Sequence, residues 1–439
     1  MELYGIYFAA LILFNAALAF HRHQSDKNAS AKESLALPSG DSRDSKAVAT
    51  KFKREYFGLY ALVMAADWLQ GPYMYTLYKH EKSISESTVA SLFTVGFVTA
   101  GITASFVGSL ADQYGRRAGC LTFCVTYGLS CLSVLSNDIF ILFVGRALGG
   151  LSTTLLYSVF ETWMIAEYHK RELSGCLSLG SMFSMLVTLS SVVAILSGVV
   201  GEAIVAYTGT KTSPFMASFV CLVVAFVGIH QLWSENYGEA ASEKQQSDGG
   251  WRALLADRRI LALTATTTCF EGSMYLFVFF WAPTLISAHE RAGSESPLPL
   301  GLIFSCFMCV VMLGSTIFGV VKPDNARDAG HLLLSILALA SYGLLIPVLQ
   351  RSEGGTFWSF ALFEVSVGLY FPSMSRLKSE VVEDAVRAKV YGFMRLPLNV
   401  FIAVALGITQ DGDEHRRKVF TVTGALLLAA FWVVRRYLL

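Results

Sequence analysis

Apolar stretches of about 18 to 25 residues, long enough to cross about 30 Å of hydrocarbon as helices, recur along nearly the whole 439-residue chain. They lie near 3–20, 56–78, 88–110, 117–136, 138–157, 174–200, 214–233, 258–285, 298–320, 330–349, 356–375, 389–410 and 418–437. Composition agrees: 54% of residues are apolar and 15% charged, and the mean hydropathy of +0.52 lies far above that of a soluble globular chain. The expected fold class is an all-α polytopic membrane protein seated in a lipid bilayer.

The first stretch ends in "AALAF", which looks like a signal-peptide cleavage site, but Glu2 and the lack of Lys or Arg before it do not suit a secretory leader. The basic residues follow in "HRHQSDK", which favours a retained anchor over 1–20 with its amino terminus outside. Residues 21–55, polar and rich in Ser and Ala, then read as a flexible cytosolic linker. On that orientation the cytosolic ends and loops collect 24 of the 34 Lys and Arg residues and the opposite side 8, while Arg146 and Arg395 fall inside spans. A threefold excess agrees with the positive-inside rule. The net charge of +1 conceals this sorting, and with no basic domain the chain offers nothing to nucleic acid.

Most of the eight cysteines lie within apolar spans, and Cys306-x-x-Cys309 lacks a second pair or a histidine nearby in sequence, so they read as small packing residues. All eight histidines fall in loops or near helix ends. No metal site and no cofactor are expected. HExxH, G-x-S-x-G, GxGxxG and P-loop patterns are all missing, which argues against a membrane-embedded enzyme.

Residues 234–257, rich in Gly, Ser, Glu and Gln, divide the main body into two sets of six helices, 56–233 and 258–439. That is the two-half plan of many secondary transporters. The stretch "GSLADQYGRRAG", 108–119, carries a sharper signal. A glycine permits tight packing, an aspartate at a helix end accepts hydrogen bonds, and arginines anchor the turn on the cytosolic face. This stretch resembles the G-x-x-x-D-x-x-G-R-R loop of the major facilitator superfamily. Gly108, Asp112, Gly115, Arg116 and Arg117 match, and Gln113 stands where a basic residue is common. The resemblance implies a cytosolic charge lock that stabilises the outward-facing state. The matching loop of the second half, "FGVVKPDNARDAG", is degenerate. "FVGRALGG" is similar to the superfamily's R-x-x-x-G motif, which implies a part in substrate binding or proton coupling for Arg146.

Read together, "ADWLQGPYMYTLY", "GRALGGLST", "FETW", "SENY", "LLADRR", "GLYFPSMS" and "MRLPL" are similar in order and spacing to the molybdate-anion transporter family within that superfamily. The resemblance covers essentially the chain after the linker. It implies a major facilitator fold of two six-helix bundles with one additional N-terminal helix, molybdate or a related oxyanion as substrate, alternating access, and a multi-pass place in the plasma membrane or an endomembrane.

Five acids, Asp67, Glu161, Glu202, Glu271 and Glu364, and two arginines, Arg146 and Arg395, lie within the spans. Each charge near the bilayer centre costs about 2.5–3.5 kcal/mol on insertion scales, so these side chains should face a polar cavity or one another. A tetrahedral dianion needs positive charge and several donors, which arginine's rigid fork supplies. Arg146 and Arg395 are the candidate substrate ligands, joined by Gln70 and Tyr73 of "MAADWLQGPYMY". Alternatively Arg146 pairs with Glu161 or Asp67, and Arg395 with Glu364 or Glu271. With the cytosol negative, moving a dianion inward costs about 4.6 kcal/mol per 100 mV. Asp67, Glu161, Glu271 and Glu364 are accordingly candidates for proton coupling or for static ion pairs. Glu202, near a helix end, reads as interfacial, and Pro72 and Pro372 as packed kinks.

A carrier of sugar or another small polar solute is the alternative within transport, and a non-transporting receptor or scaffold the alternative outside it. A monomer is expected. The topology makes a checkable statement about the sequon Asn28-Ala29-Ser30: in a glycosylation-competent cell it stays unmodified, because it lies in the cytosol. A glycan at Asn28, read as a mobility shift removed by endoglycosidase, reverses the assigned orientation.

Overall fold

A computed structural model describes residues 2–33, 43–238, 257–294, 296–321, 323, 325–382 and 387–439. Among these, regular structure is entirely helical. The long helices are α1 (Glu2–Glu33), α2 (Arg43–Trp68), α3 (Glu86–Thr103), α4 (Val107–Tyr114), α5 (Arg116–Ser133), α6 (Ile139–Lys170), α7 (Leu179–Thr208) and α8 (Ser213–Leu232). After them come α9 (Arg258–Arg291), α10 (Leu300–Val321), α11 (Ala326–Leu349), α12 (Glu353–Val381), α13 (Arg387–Gly407) and α14 (Asp413–Tyr437).

A helix follows each of the thirteen apolar stretches. Nine helices among the described residues are long and apolar enough to cross a membrane, or ten when α3 and α4, bent by 55°, count as one span. Helices α2, α5 and α12 fall short of that composition because each mixes its apolar residues with charges or with Ser, Thr and Gly. Five of the long helices, α6, α7, α9, α11 and α12, start at short polar side chains where the chain turns. Asp138 accepts from the Phe140 N–H at 2.7 Å, Asp257 from that of Arg259 at 2.8 Å, and Ser178, Asn325 and Ser352 cap α7, α11 and α12.

Two expectations change. The segment 21–55 is helical over 21–33 and again from Arg43, and only residues 34–42 lie outside the described chain. Most of residues 234–257 likewise lies outside it. The stretch 56–78 is not one kinked helix: α2 stops at Trp68, Leu69–Tyr73 form turns around Gly71-Pro72, and the chain resumes as a short helix, Met74–Thr76, and a π turn, Leu77–Glu81. Pro72 lacks an N–H and Gly71 lacks a restraining side chain, so the helical ladder ends here. Pro372, by contrast, is carried inside a continuous α12.

The chain clusters into two compact units. One comprises Ile12–Met74 and Val98–Ser242, where α5 packs on α6 and α8, and α2 on α7 and α8. Its core joins Tyr56, Phe160, Trp163 and Trp233, and the two indoles stack at 3.8 Å. The other comprises Met1–Leu11, Tyr75–Phe97 and Glu243–Leu439, where α12 packs on α9, α10 and α11, and α14 on α9 and α11. Near Gly314 and Gly368 the α10 and α12 backbones nearly touch: a Cβ at Gly368 would lie 2.1 Å from the Val311 carbonyl oxygen, and one at Gly314 2.4 Å from that of Val365. Small residues allow this close approach, the usual means of helix association in lipid.

Gly368→Val therefore forces the two backbones apart. A loss of at least about 1–3 kcal/mol is expected, seen as a lower melting temperature and poorer monodispersity in detergent. Gly407→Ala, where nothing lies within 4 Å of the added carbon, leaves both unchanged.

Candidate functional site

In the unit built on α2 and α5–α8, polar side chains gather where α2 ends. Asp67, one residue before that end, accepts a hydrogen bond from the Tyr127 hydroxyl of α5 at 2.8 Å, and Tyr157 of α6 also bonds to it. Arg146 of α6 lies within electrostatic range of Tyr127 and donates from Nη1 to the Met74 Sδ at 2.8 Å, just beyond the break. Gln70 is buried in the break, donating to the Ala66 carbonyl at 3.0 Å and to Cys131 Sγ at 3.2 Å. The broken helix thus supplies Asp67 from one side and Met74 from the other, with Arg146 and two tyrosines closing the group.

Two sequence expectations fall elsewhere. Tyr73 is buried and donates to Glu202 Oε2 at 3.1 Å, so the acid read as interfacial has a specific partner. Glu161 lies on the same helix as Arg146, fifteen residues farther along, about 22 Å at 1.5 Å per residue. That separation rules out the Arg146–Glu161 pair. Glu161 is exposed and near Tyr60.

In the other unit, Glu271 of α9 accepts from the Tyr370 hydroxyl of α12 at 3.3 Å. Arg395 of α13 and Lys378 of α12 both lie within its electrostatic range. Arg395 is exposed and makes no ion pair within 4.0 Å among the described residues. Glu364 is buried at 7% exposure, and the Arg395–Glu364 pair is not formed. Lys378 was missed because it lies beyond the apolar stretch 356–375; α12 in fact continues to Val381. The i, i+4 series Tyr370, Met374, Lys378 was the available signal.

The 108–119 loop is held by contacts that sequence spacing did not show. Asp112 pairs with Arg116 at 2.7 Å, one turn away. Gly115 sits at φ +112, and a Cβ there would meet the Glu235 carboxylate at 2.6 Å, so both conformation and space require glycine. Glu235, from "SENY", accepts from the N–H groups of Arg117 at 2.8 Å and Ala118 at 3.1 Å, capping α5. The Arg117 guanidinium donates to the His230 carbonyl at 2.6 Å. Gly108, expected to allow tight packing, has open space around it.

A second polar group joins residues 79–86 to the α13–α14 turn. Lys79 pairs with Asp411 at 2.9 Å, and the Glu86 N–H donates to the same carboxylate at 3.0 Å. Asp413 pairs with Arg291 and with Arg416, the latter at 3.4 Å. Tyr75 and Phe93 meet Phe279 edge-on, at 5.4 and 5.0 Å. The Lys79 ammonium, through its hydrogen bond, holds the Asp411 carboxyl below the ordinary carboxylate range. A lowered carboxylate pKa keeps its contribution at all pH above the unfolded value and loses it only as pH falls through the folded one. Near neutrality the Asp411 carboxylate therefore stays ionised.

Among known proteins, a family model described as "Sugar-transporters, 12 TM" matches residues 30–356. The chain is 31% identical over 394 residues to the molybdate-anion transporter of Xenopus tropicalis, covering 88% of this chain and 85% of that one. Against the molybdate-anion transporter of Takifugu rubripes the identity is 30% over 429 residues, at 88% and 86% coverage. Among solved structures, the peptide transporter POT in complex with sulfate superposes with a TM-score of 0.69 at 13% identity, over 88% of this chain and 94% of that one. The nucleoside transporter NupG gives 0.63 at 13% identity, over 88% and 98%. At these identities the two structures establish the fold.

The Glu235 cap generates a prediction independent of substrate. Glu235→Ala leaves the α5 amino end without its acceptor and lowers stability by about 1–2 kcal/mol, read as a lower melting temperature. Glu235→Gln, which keeps an acceptor oxygen, recovers part of the loss.

Proposed function

Because the chain belongs to the molybdate-anion transporter family of the major facilitator superfamily, we propose that it is a secondary transporter carrying molybdate across a membrane by alternating access. The observation that carries the substrate is the identity of about 31% to molybdate-anion transporters over 88% of the chain. The site chemistry supports it. Arg146 has Tyr127 within electrostatic range and Arg395 has Glu271, each in its own unit, and a guanidinium offers a tetrahedral oxyanion both charge and paired N–H donors. In this reading the halves 56–233 and 258–439 rock about the site, and the 108–119 loop closes the cytosolic face. The protein acts as a monomer in the plasma membrane.

Uptake of a dianion against a negative interior requires compensation, and coupled protons supply it. Asp67, Glu271 and Glu364, together with the more exposed Glu161, are the acids available for that task. Asp67 has the best placement, within the group that includes Arg146 and at the end of the broken helix. A second reading, transport of a sugar or another small polar solute, is favoured by the description of the matching family model.

Purified protein in liposomes, assayed with labelled molybdate, sulfate and a hexose, separates the two. Saturable molybdate uptake with no hexose flux is expected; hexose flux without molybdate flux replaces the first reading by the second. Arg146→Ala and Arg395→Ala should each lower molybdate kcat/KM at least about tenfold, a loss of about 1.4 kcal/mol. Normal transport by both removes the arginines from the site. Asp67→Asn should abolish stimulation by an imposed inward proton gradient. Weaker uptake with that stimulation intact assigns Asp67 to positioning the arginine instead.

A further inference from the structure

Helix α9 packs against both α12 and α13, and each brings a cation toward Glu271. Lys378 comes from α12 and Arg395 from α13; both lie within electrostatic range of the Glu271 carboxylate and of each other. Tyr370 stacks on Phe270 at 3.8 Å and donates to Glu271 at 3.3 Å, which fixes the acid's direction. The Lys378 ammonium lies 5.7 Å from the Tyr391 ring centroid, within cation–π range. Among the described residues neither cation closes an ion pair with Glu271 within 4.0 Å. Two cations and one acid leave a surplus of positive charge, and bringing like charges together is unfavourable unless an anion sits between them.

Depth along the helices locates this group. Lys378 is 25 residues beyond Glu353, about 38 Å along α12, past the roughly 30 Å of hydrocarbon. Glu271 is 13 residues into α9, and Arg395 eight into α13. The four-carbon stem of Lys378 spans the difference, its charge near the membrane boundary and its methylenes along apolar surface. The group therefore reaches from Glu271, about 20 Å into α9, to the end of α12 where the basic loops cluster.

We infer that Lys378 and Arg395 form an oxyanion site of their own, with a tetrahedral dianion bridging ammonium and guanidinium while Tyr370 holds Glu271 aside as the counter-charge. This inference rests on the transport reading above and adds to it a second cation, Lys378, at the cytosolic end of the path. Lysine acts as a point charge and arginine as a fork, so Lys378 sets how strongly the anion is held and Arg395 how it is oriented.

The test uses the full chain. Saturable molybdate uptake by the wild type in liposomes comes first, and its absence is a failure of the transport reading alone. Binding is then measured separately in detergent, as the rise in melting temperature caused by molybdate or by sulfate. Lys378→Gln is expected to raise the molybdate KM about tenfold with Vmax within twofold, and to remove most of the anion-induced thermal rise. Lys378→Arg should restore both. An unchanged KM and thermal rise in Lys378→Gln overturns the site. So does a lowered anion-free melting temperature with normal anion response, which leaves Lys378 as a structural partner of Glu271.

Discussion

A charge placed in hydrocarbon must find compensation within the protein, and the polar architecture of this chain follows from that requirement. Asp67 meets it with two tyrosine hydroxyls, and Glu271 with one hydroxyl and two nearby cations. Arg146 meets part of it through a thioether acceptor, a weak partner for a guanidinium. The compensation differs in kind: tyrosine hydroxyls reach Asp67 and Glu271, while Arg395 closes no ion pair within 4.0 Å among the described residues.

The break at Gly71-Pro72 decides where those charges can sit. A continuous helix would satisfy its own backbone and send Asp67, Gln70 and Met74 outward at fixed angles. With the ladder ended at Trp68, Gln70 turns back to the Ala66 carbonyl and Met74 reaches Arg146. The same break separates the contact units, since Met74 closes one and Tyr75 opens a segment of the other. One short irregular stretch thus positions the polar group and divides the packing.

Hydropathy made the helices legible, because a helix is the simplest structure that satisfies its backbone in lipid. It could not show where helices continue into polar sequence, and so the helical residues 21–33 and the end of α12 carrying Lys378 were read as linker and loop. The charged residues were identifiable by type, but their partners were not, since partners come from packing between helices. The Arg146–Glu161 pairing was the exception that arithmetic alone could have excluded. Glu235 was hidden for another reason: "SENY" has no periodicity, and its role as the cap of α5 exists only once the chain folds back from α8.

Strength is distributed in a way that suits a carrier. The contact of α10 and α12 is backbone against glycine and admits no added carbon, so that helix pair is closely interlocked. The fastening of residues 79–86 rests on a mostly exposed pair, with Asp411 56% and Lys79 29% accessible. Such pairs contribute about 0–1 kcal/mol each, and a few edge-on aromatic contacts add about 0.5–1.5 kcal/mol apiece. Interactions of that size yield to thermal motion. Because the Asp411 carboxyl is held below the ordinary carboxylate range, protonation of that group does not release its pair with Lys79 near neutral pH.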